Sequence, residues 1–420
     1  MNLFVMLRRA ALLSAVGVAW LQLAQAWSAE PLTFERALEL AERQAPALAA
    51  RHAAVESAHS AAQAAGRLPD PKLALGVENL PISGEERFTL TRDFMTMRKI
   101  GVMQEVPNAG RRRAQLDAAN ALVARERAAE TAERLAVRRE AASAWINRYY
   151  AERQLALFEA LEAENKVLQD TVKARVAAGR ALPADAAMAR QEALGLADRR
   201  DELERELAKS KAALHRWIGV SADEPLAGMP RVARLDAEHL RGALERHPEL
   251  AAYTPMAQMA AAEVREIDAG RRPDWSWELS YGRRGSQFGD MSSVQVSFNV
   301  PFFGSTRRNA LALAKQHEVA RVDAEREDML RRHRAELEGW LAEQEELERK
   351  LARVRDAALP LADERVRLTL ASYQSGRAGL DAVLAARRER AETRLREIQA
   401  EGALDALRAR LTWLTGEEHR

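Results

Sequence analysis

The sequence predicts a mainly α-helical protein with a small β part, in which long helical hairpins accompany four short strands. Three observations carry that expectation. One set of landmarks occurs twice along the 420 residues, in the same order and at nearly constant spacing. Two very long stretches keep a helical period with almost no Pro or Gly. Between them, short segments switch to strict alternation of apolar and polar residues, the period of a strand with two unlike faces.

Composition narrows the function classes. Lys plus Arg number 64 and Asp plus Glu 62, a net charge of +2 that gives no argument for nucleic acid. Mean hydropathy is −0.38, too polar for a bundle of membrane-spanning helices. There are no cysteines, which excludes disulfides, thiolate metal sites, a Cys nucleophile and lipid anchoring through Cys. Residues 1–26 read as a secretory signal: two arginines in "MNLFVMLRR", a short apolar core, then Ala24-Gln25-Ala26 as a cleavage site. An uncleaved anchor is the alternative, although the apolar run is shorter than the ~20 residues a spanning helix needs.

The remaining chain divides into two repeats, 27–230 and 231–420. "AGRLPDPKLALG" (65–76) resembles "AGRRPDWSWELS" (269–280), and "GVMQEVPNAGRRRAQLDAA" (101–119) resembles "QVSFNVPFFGSTRRNALAL" (295–313). "RVAAGRALPADAAMAR" (175–190) resembles "SYQSGRAGLDAVLAAR" (372–387). Each repeat opens with a helix, expected over 33–66 and 236–270, and Pro-Asp at 69–70 and 273–274 ends it, because the residue before Pro favours extended geometry. A hairpin follows. In the second repeat, Trp275, Trp277, Leu279 and Tyr281 share one face of the first strand, and Val294, Val296, Phe298 and Val300 one face of the next. Leu73, Leu75 and Val77, with Ile100, Val102 and Val106, form weaker copies in the first repeat. Apolar outside and polar inside suits a membrane barrel, yet four strands cannot close one, since the smallest have eight. Several chains must then contribute to one barrel, because open edges are not tolerated in lipid.

Long helices are expected at 110–178 and 304–374, the second kinked at Pro360. A shorter helix returns after each Gly-Arg turn, at 184–217 and 381–414, so each repeat ends in a long helical hairpin.

Signal, doubled unit, strand hairpins and paired helical hairpins together resemble the TolC-like outer membrane factors. "LPLADERVRLTLASYQSGRAGLDAVLAAR" (359–387) is similar to that family's second hairpin turn, and "VPNAGRRRAQ" to its barrel-to-helix junction. The resemblance implies a homotrimer in the outer membrane of a Gram-negative bacterium, with a shared twelve-strand barrel and a periplasmic tunnel of helices. It also implies docking on a periplasmic adaptor connected to an inner-membrane RND-type pump. The turns at Gly179-Arg180 and Gly376-Arg377 would contact the adaptor. Asp185 matches a position where acidic side chains crowd the pore mouth, and Tyr373 matches a latch tyrosine. Arg377 and Asp381 stand beside two further latch positions, which Ala378 and Ala382 occupy here. Asp185 reads equally well as the N-cap of helix 184–217. The eight strand residues named above, Trp275 to Val300, would face lipid.

"ALGVENLPISG" and "FMTMRKIGVMQEVPNAGRRR" look like the heavy-metal efflux branch of the family, its CzcC- and CusC-like members. Met95, Met97 and Met103 cluster there, and thioethers suit soft monovalent copper or silver, although methionine is also ordinary apolar filling. No His cluster with ligand spacing, catalytic constellation or cofactor motif is visible. The expected function is therefore passive conduction of exported cations, without enzymatic activity or cofactor. Drug or protein export through the same duct is one alternative. A periplasmic adaptor with coiled-coil hairpins is another, disfavoured because an adaptor normally carries one hairpin.

Overall fold

A computed structural model describes residues 31–300 and 305–414, so the expected signal at 1–26 and "PFFG" (301–304) lie outside the described residues. The chain begins with α1 (Phe34–Gln44), capped by Thr33, whose Oγ1 accepts the Arg36 N–H at 3.2 Å. Helix α2 (Pro46–Ala64) follows at once. The single helix expected over 33–66 is thus two. Pro46 pushes Ala45 into extended geometry (φ −64°, ψ 116°) and cannot continue the ladder of α1.

Strands β1 (Lys72–Glu78) and β2 (Met97–Val106) lead into α3 (Ala109–Ala177), an unbroken helix of 69 residues. Its partner α4 (Pro183–Ile218) returns after the first Gly-Arg turn. The second repeat begins with α5 (Ala237–Ala243), α6 (Pro248–Ala251) and α7 (Tyr253–Ala269). Here too one expected helix, 236–270, is broken, at a 3-10 turn and at Pro248. Strands β3 (Trp275–Arg283) and β4 (Met291–Phe298) precede α8 (Ser305–Arg353). The interruption expected at Pro360 is a π-turn, Val354–Ala358, after which Pro360 sits in the first turn of α9 (Leu359–Gln374). The wider π-turn accommodates the missing N–H that would strain an α-helix. Helix α10 (Leu380–Thr412) completes the second helical hairpin.

The two compact units do not follow the two sequence repeats. Each draws on both. One contains residues 49–133 and 245–333, hence the sheet, most of α2, α7 and the first parts of α3 and α8. Ion pairs tie α7 to its neighbours: Arg265 to Asp117 at 3.1 Å, Arg111 to Glu266 at 3.4 Å and Lys315 to Glu263 at 2.5 Å.

The other unit contains the described residues of 31–48, 134–244 and 334–414. Its core gathers Phe34, Ala37, Trp145, Ile146, Leu214, Ile218 and Ala409. Trp145 is fully buried, stacks on Tyr149 at 5.4 Å, and donates its indole N–H to the Leu32 carbonyl at 3.3 Å. Leu32 in turn forms an isolated parallel bridge with Leu226. Arg148, buried beside this core, ion-pairs with Glu152 at 2.8 Å and donates to the Glu224 carbonyl at 2.8 Å. A buried guanidinium needs such partners to offset its lost hydration.

In the same unit, Gly402 lets α10 approach the Tyr150 ring. A Cβ placed on Gly402 would lie 2.9 Å from Tyr150 Cγ, and the Tyr150 hydroxyl donates to Asp405 at 2.6 Å. Burial raises the pKa of both groups above their ordinary values. Gly402→Ala gains up to ~1 kcal/mol of helix propensity. It loses ~1–3 kcal/mol to overpacking against a ring whose hydroxyl is anchored. We expect a net loss of roughly 1–2 kcal/mol, seen as a lower melting temperature; an unchanged or raised melting temperature would contradict this packing.

Candidate functional site

The sheet has the strand order β1-β2-β3-β4, antiparallel throughout, so the hairpins of the two repeats meet through β2 and β3. Its register sorts the side chains sharply. Leu75 faces Ile100 and Tyr281 across the strands, Leu73 faces Val102, Leu279 and Val294, and Trp277 faces Val296. Trp275 pairs with Val106 and Phe298 at one end of this face. At the other end the apolar rows stop at Arg98 and Arg283. The opposite face carries Lys72, Glu78, Lys99, Glu105, Glu278 and several serines. Lys99 bonds to Glu78 at 2.9 Å and to Glu278 at 3.0 Å, and Lys72 to Glu105 at 2.5 Å.

The apolar face is the exposed one. Leu75 is 73% exposed, Val294 74%, Leu279 52% and Trp275 40%. Of the eight strand residues expected to face lipid, seven lie on this face within β3 and β4. Val300 falls beyond the end of β4 but is likewise exposed. Among the described residues, the outer edges of β1 and β4 have no further strand in the sheet. Sheets of single-chain soluble proteins bury their apolar face under another layer. An uncovered apolar face between two open edges is an incomplete structure.

The hairpin tips repeat one backbone device. At the end of α3, the Gly179 N–H bonds to the Val176 carbonyl at 3.0 Å and the Arg180 N–H to the Arg175 carbonyl at 2.8 Å. At the end of α9, the Gly376 N–H bonds to the Tyr373 carbonyl at 3.0 Å and the Arg377 N–H to the Ser372 carbonyl at 2.8 Å. Both are Schellman caps, which require a left-handed residue, and both glycines supply it, with φ of +69° and +75°. Gly-Arg therefore recurs in the sequence because the same helix stop is built twice.

The two tips pack on each other. Tyr373 is buried with Leu168, Val172, Leu380, Val383 and Leu384, and the Arg175 guanidinium lies 4.6 Å from the centre of its ring. This contact crosses from the first hairpin to the second. Arg377 is exposed and its Nε donates to Ser375 Oγ at 3.0 Å, while Asp381 stands exposed in the first turn of α10. Asp185 is not the N-cap of α4. It occupies the third helical position, where its carboxylate accepts the Leu182 N–H at 3.0 Å.

The methionines are not brought to one point. Met97 and Met103 share the polar face of β2 but stand six residues apart. At ~3.3 Å per residue that is roughly 20 Å, too far to share an ion. Met95 lies outside the strand and is exposed. The structure does assemble a cluster that the sequence did not suggest: His247, Glu249 and His333. The local signal was His-Pro-Glu at 247–249; the third member comes from the middle of α8, and only the fold brings it near.

Residues 240–417 match the family model described as "Outer membrane efflux protein". No curated protein matches the chain. Among solved structures, CusC, studied for folding and transmembrane channel formation, is 16% identical with a TM-score of 0.75, covering 92% of each chain. The outer membrane protein VceC from Vibrio cholerae is 18% identical with a TM-score of 0.75, covering 92% of this chain and 97% of its own. The CmeC outer membrane channel of Campylobacter jejuni is 13% identical with a TM-score of 0.76, covering 92% and 86%. The fold is that of these outer membrane channels.

For Asp185 two roles separate cleanly. As a first-turn acceptor, Asp185→Ala costs ~0.3–1 kcal/mol of stability and leaves ion conduction unchanged. As a pore-mouth carboxylate, its removal also alters single-channel conductance and its cation preference in planar bilayers. On the pore-mouth reading both effects are expected; unchanged conductance would leave Asp185 with its first-turn contact to Leu182 alone.

Proposed function

We propose that this chain is the outer-membrane duct of a tripartite export system, that three copies close one barrel, and that heavy-metal cations are its cargo. The observation that carries the duct reading is the inverted sheet. An apolar face outside, a charged face inside, Trp275 and Trp277 near one border and Tyr281 near the other match the pattern of a transmembrane barrel wall. Within lipid every edge must be paired. Four strands fall short of the eight that close the smallest barrel, so copies of the chain complete it, and three give twelve strands. In the same reading the helical hairpins form a periplasmic tunnel. The turns at Gly179-Arg180 and Gly376-Arg377 meet a periplasmic adaptor fed by an RND-type inner-membrane pump. Asp185, Tyr373, Arg377 and Asp381 border the mouth. The protein conducts passively, without catalysis or cofactor.

The cargo reading rests on the resemblance of residues 75–113 to metal-efflux channels. The spread of Met95, Met97 and Met103 assigns the methionines no shared site. A conduit needs no tight site along its bore, since tight binding slows exit.

The duct reading is tested by charge placed on either face of one strand. Val294→Lys on the apolar face should cost ~2–4 kcal/mol at mid-bilayer depth and strip the assembled protein from the outer membrane fraction. Gln295→Lys, one residue on and facing inward, should leave it in place. If the apolar face meets water, both changes stay within ~0.5 kcal/mol and behave alike, and a monodisperse soluble monomer would sink the reading.

The cargo is tested by deletion. Loss of the protein should sensitise cells to at least one of copper, silver, zinc, cobalt and cadmium. Replacing Met95, Met97 and Met103 together by Leu, which keeps volume and apolarity, should leave that resistance intact. Unchanged tolerance to all five metals, with new sensitivity to dyes or detergents, would replace metal export by drug export.

A further inference from the structure

We propose that His247, Glu249 and His333 form a binding site for a divalent transition-metal cation of the zinc class. The site is independent of the cargo and would stand unchanged in a duct for other substrates. All three residues belong to the compact unit that holds the sheet. His247 precedes the short helix α6 and Glu249 lies within it, while His333 sits in the middle of α8.

Burial and geometry carry the assignment. His247 is 5% exposed and His333 7%, and their ring centroids stand 4.2 Å apart. Imidazoles are seldom buried side by side, because each brings a polar ring out of water and one protonated ring opposes protonation of the other. Glu249 joins them. Its Oε2 lies 3.2 Å from His333 Nε2, and its N–H donates to His247 Nδ1 at 3.2 Å. One ligand atom from each residue fits within 4.8 Å of the other two. With metal–ligand bonds of ~2.0–2.1 Å, two ligands of a tetrahedral centre are roughly 3.3 Å apart. The His333–Glu249 pair already has that separation, and a modest side-chain rotation brings in His247.

The donor set selects the ion. Two imidazole nitrogens and one carboxylate oxygen suit zinc, cobalt, nickel or divalent copper. Magnesium and calcium prefer all-oxygen shells, and monovalent copper prefers sulfur. Three protein ligands leave a fourth position for water. The Glu249 side chain is 48% exposed and offers the ion an entry path. A bound ion would add a staple between the segment at 247–249 and α8, beside the buried Pro248 and Leu250.

The test uses the full chain purified in detergent, its affinity tag removed, and titrated with zinc chloride by calorimetry. We expect one saturable Zn²⁺ per chain, and a melting temperature that rises with Zn²⁺ but not with Mg²⁺. The double variant His247→Ala/His333→Ala should lose affinity by about a hundredfold or more, and its melting temperature should no longer respond. Glu249→Gln, at a largely exposed side chain, should weaken binding about tenfold without unfolding the protein. Zinc binding of equal affinity in the double variant, or no preference over Mg²⁺, overturns the site. If the double variant fails to fold, Glu249→Gln decides, and unchanged zinc affinity in that variant overturns it. These readouts involve neither membrane insertion nor export, so their failure leaves the duct reading standing.

Discussion

An apolar sheet face that nothing among the described residues covers constrains everything else. Leu73, Leu75, Ile100, Leu279, Val294 and Phe298 project from one side of four strands, and both edges of that sheet are open. At ~25 cal/mol per Å², leaving such a surface in water would forgo many kcal/mol of burial. The charged face makes the same point from the other side. Lys99 with Glu78 and Glu278 needs water or polar partners, so the sheet cannot be rescued by turning it over. Lipid on one side, water on the other and more strands at each edge satisfy all three requirements together.

The helical tips obey a different constraint. A helix of 69 residues that must reverse needs its last carbonyls satisfied within a few residues. The Schellman cap does so with two backbone bonds and one left-handed residue. A side chain at Gly179 or Gly376 would meet open space, so the demand for glycine there is set by φ alone. Arg175 over the Tyr373 ring then fixes one tip against the other with a contact that tolerates water.

Much of this was legible in the sequence, because periodicity and doubling are local properties. The alternation in "WSWELSY" placed four side chains on one face, and the register agrees. The runs almost free of Pro and Gly gave helix ends within one or two residues, with the π-turn before Pro360 dividing the second run. The misreadings have local causes. Ala45-Pro46 divides a helix whose apolar pattern continues across the break, so pattern alone joined what the missing N–H separates. Asp185 looked like an N-cap, but the true cap position is Leu182, and the carboxylate reaches back from the third position. Met95, Met97 and Met103 are close in sequence, yet a strand spaces its residues too widely for nearness to mean contact. His247 and His333 show the converse: their meeting depends on how α6 and α8 pack, and no spacing rule reaches across that separation.

The inward charges bear on how such a duct discriminates. Lys99 is shared between Glu78 and Glu278, and Lys72 is taken up by Glu105, so the fixed charges along this face largely neutralise one another and leave one negative charge over per chain. Pairs of this kind in a wet channel contribute little net field beyond a Debye length of about 8 Å. In the proposed duct, a wall so lined repels neither sign strongly. On that reading, selection lies upstream, in whatever loads the tunnel, or at its narrow end. If three copies bring the tips round a common axis as proposed, the carboxylates of Asp185 and Asp381 concentrate like charge at a constriction, which acts on a passing ion far more than dispersed pairs in a wide barrel.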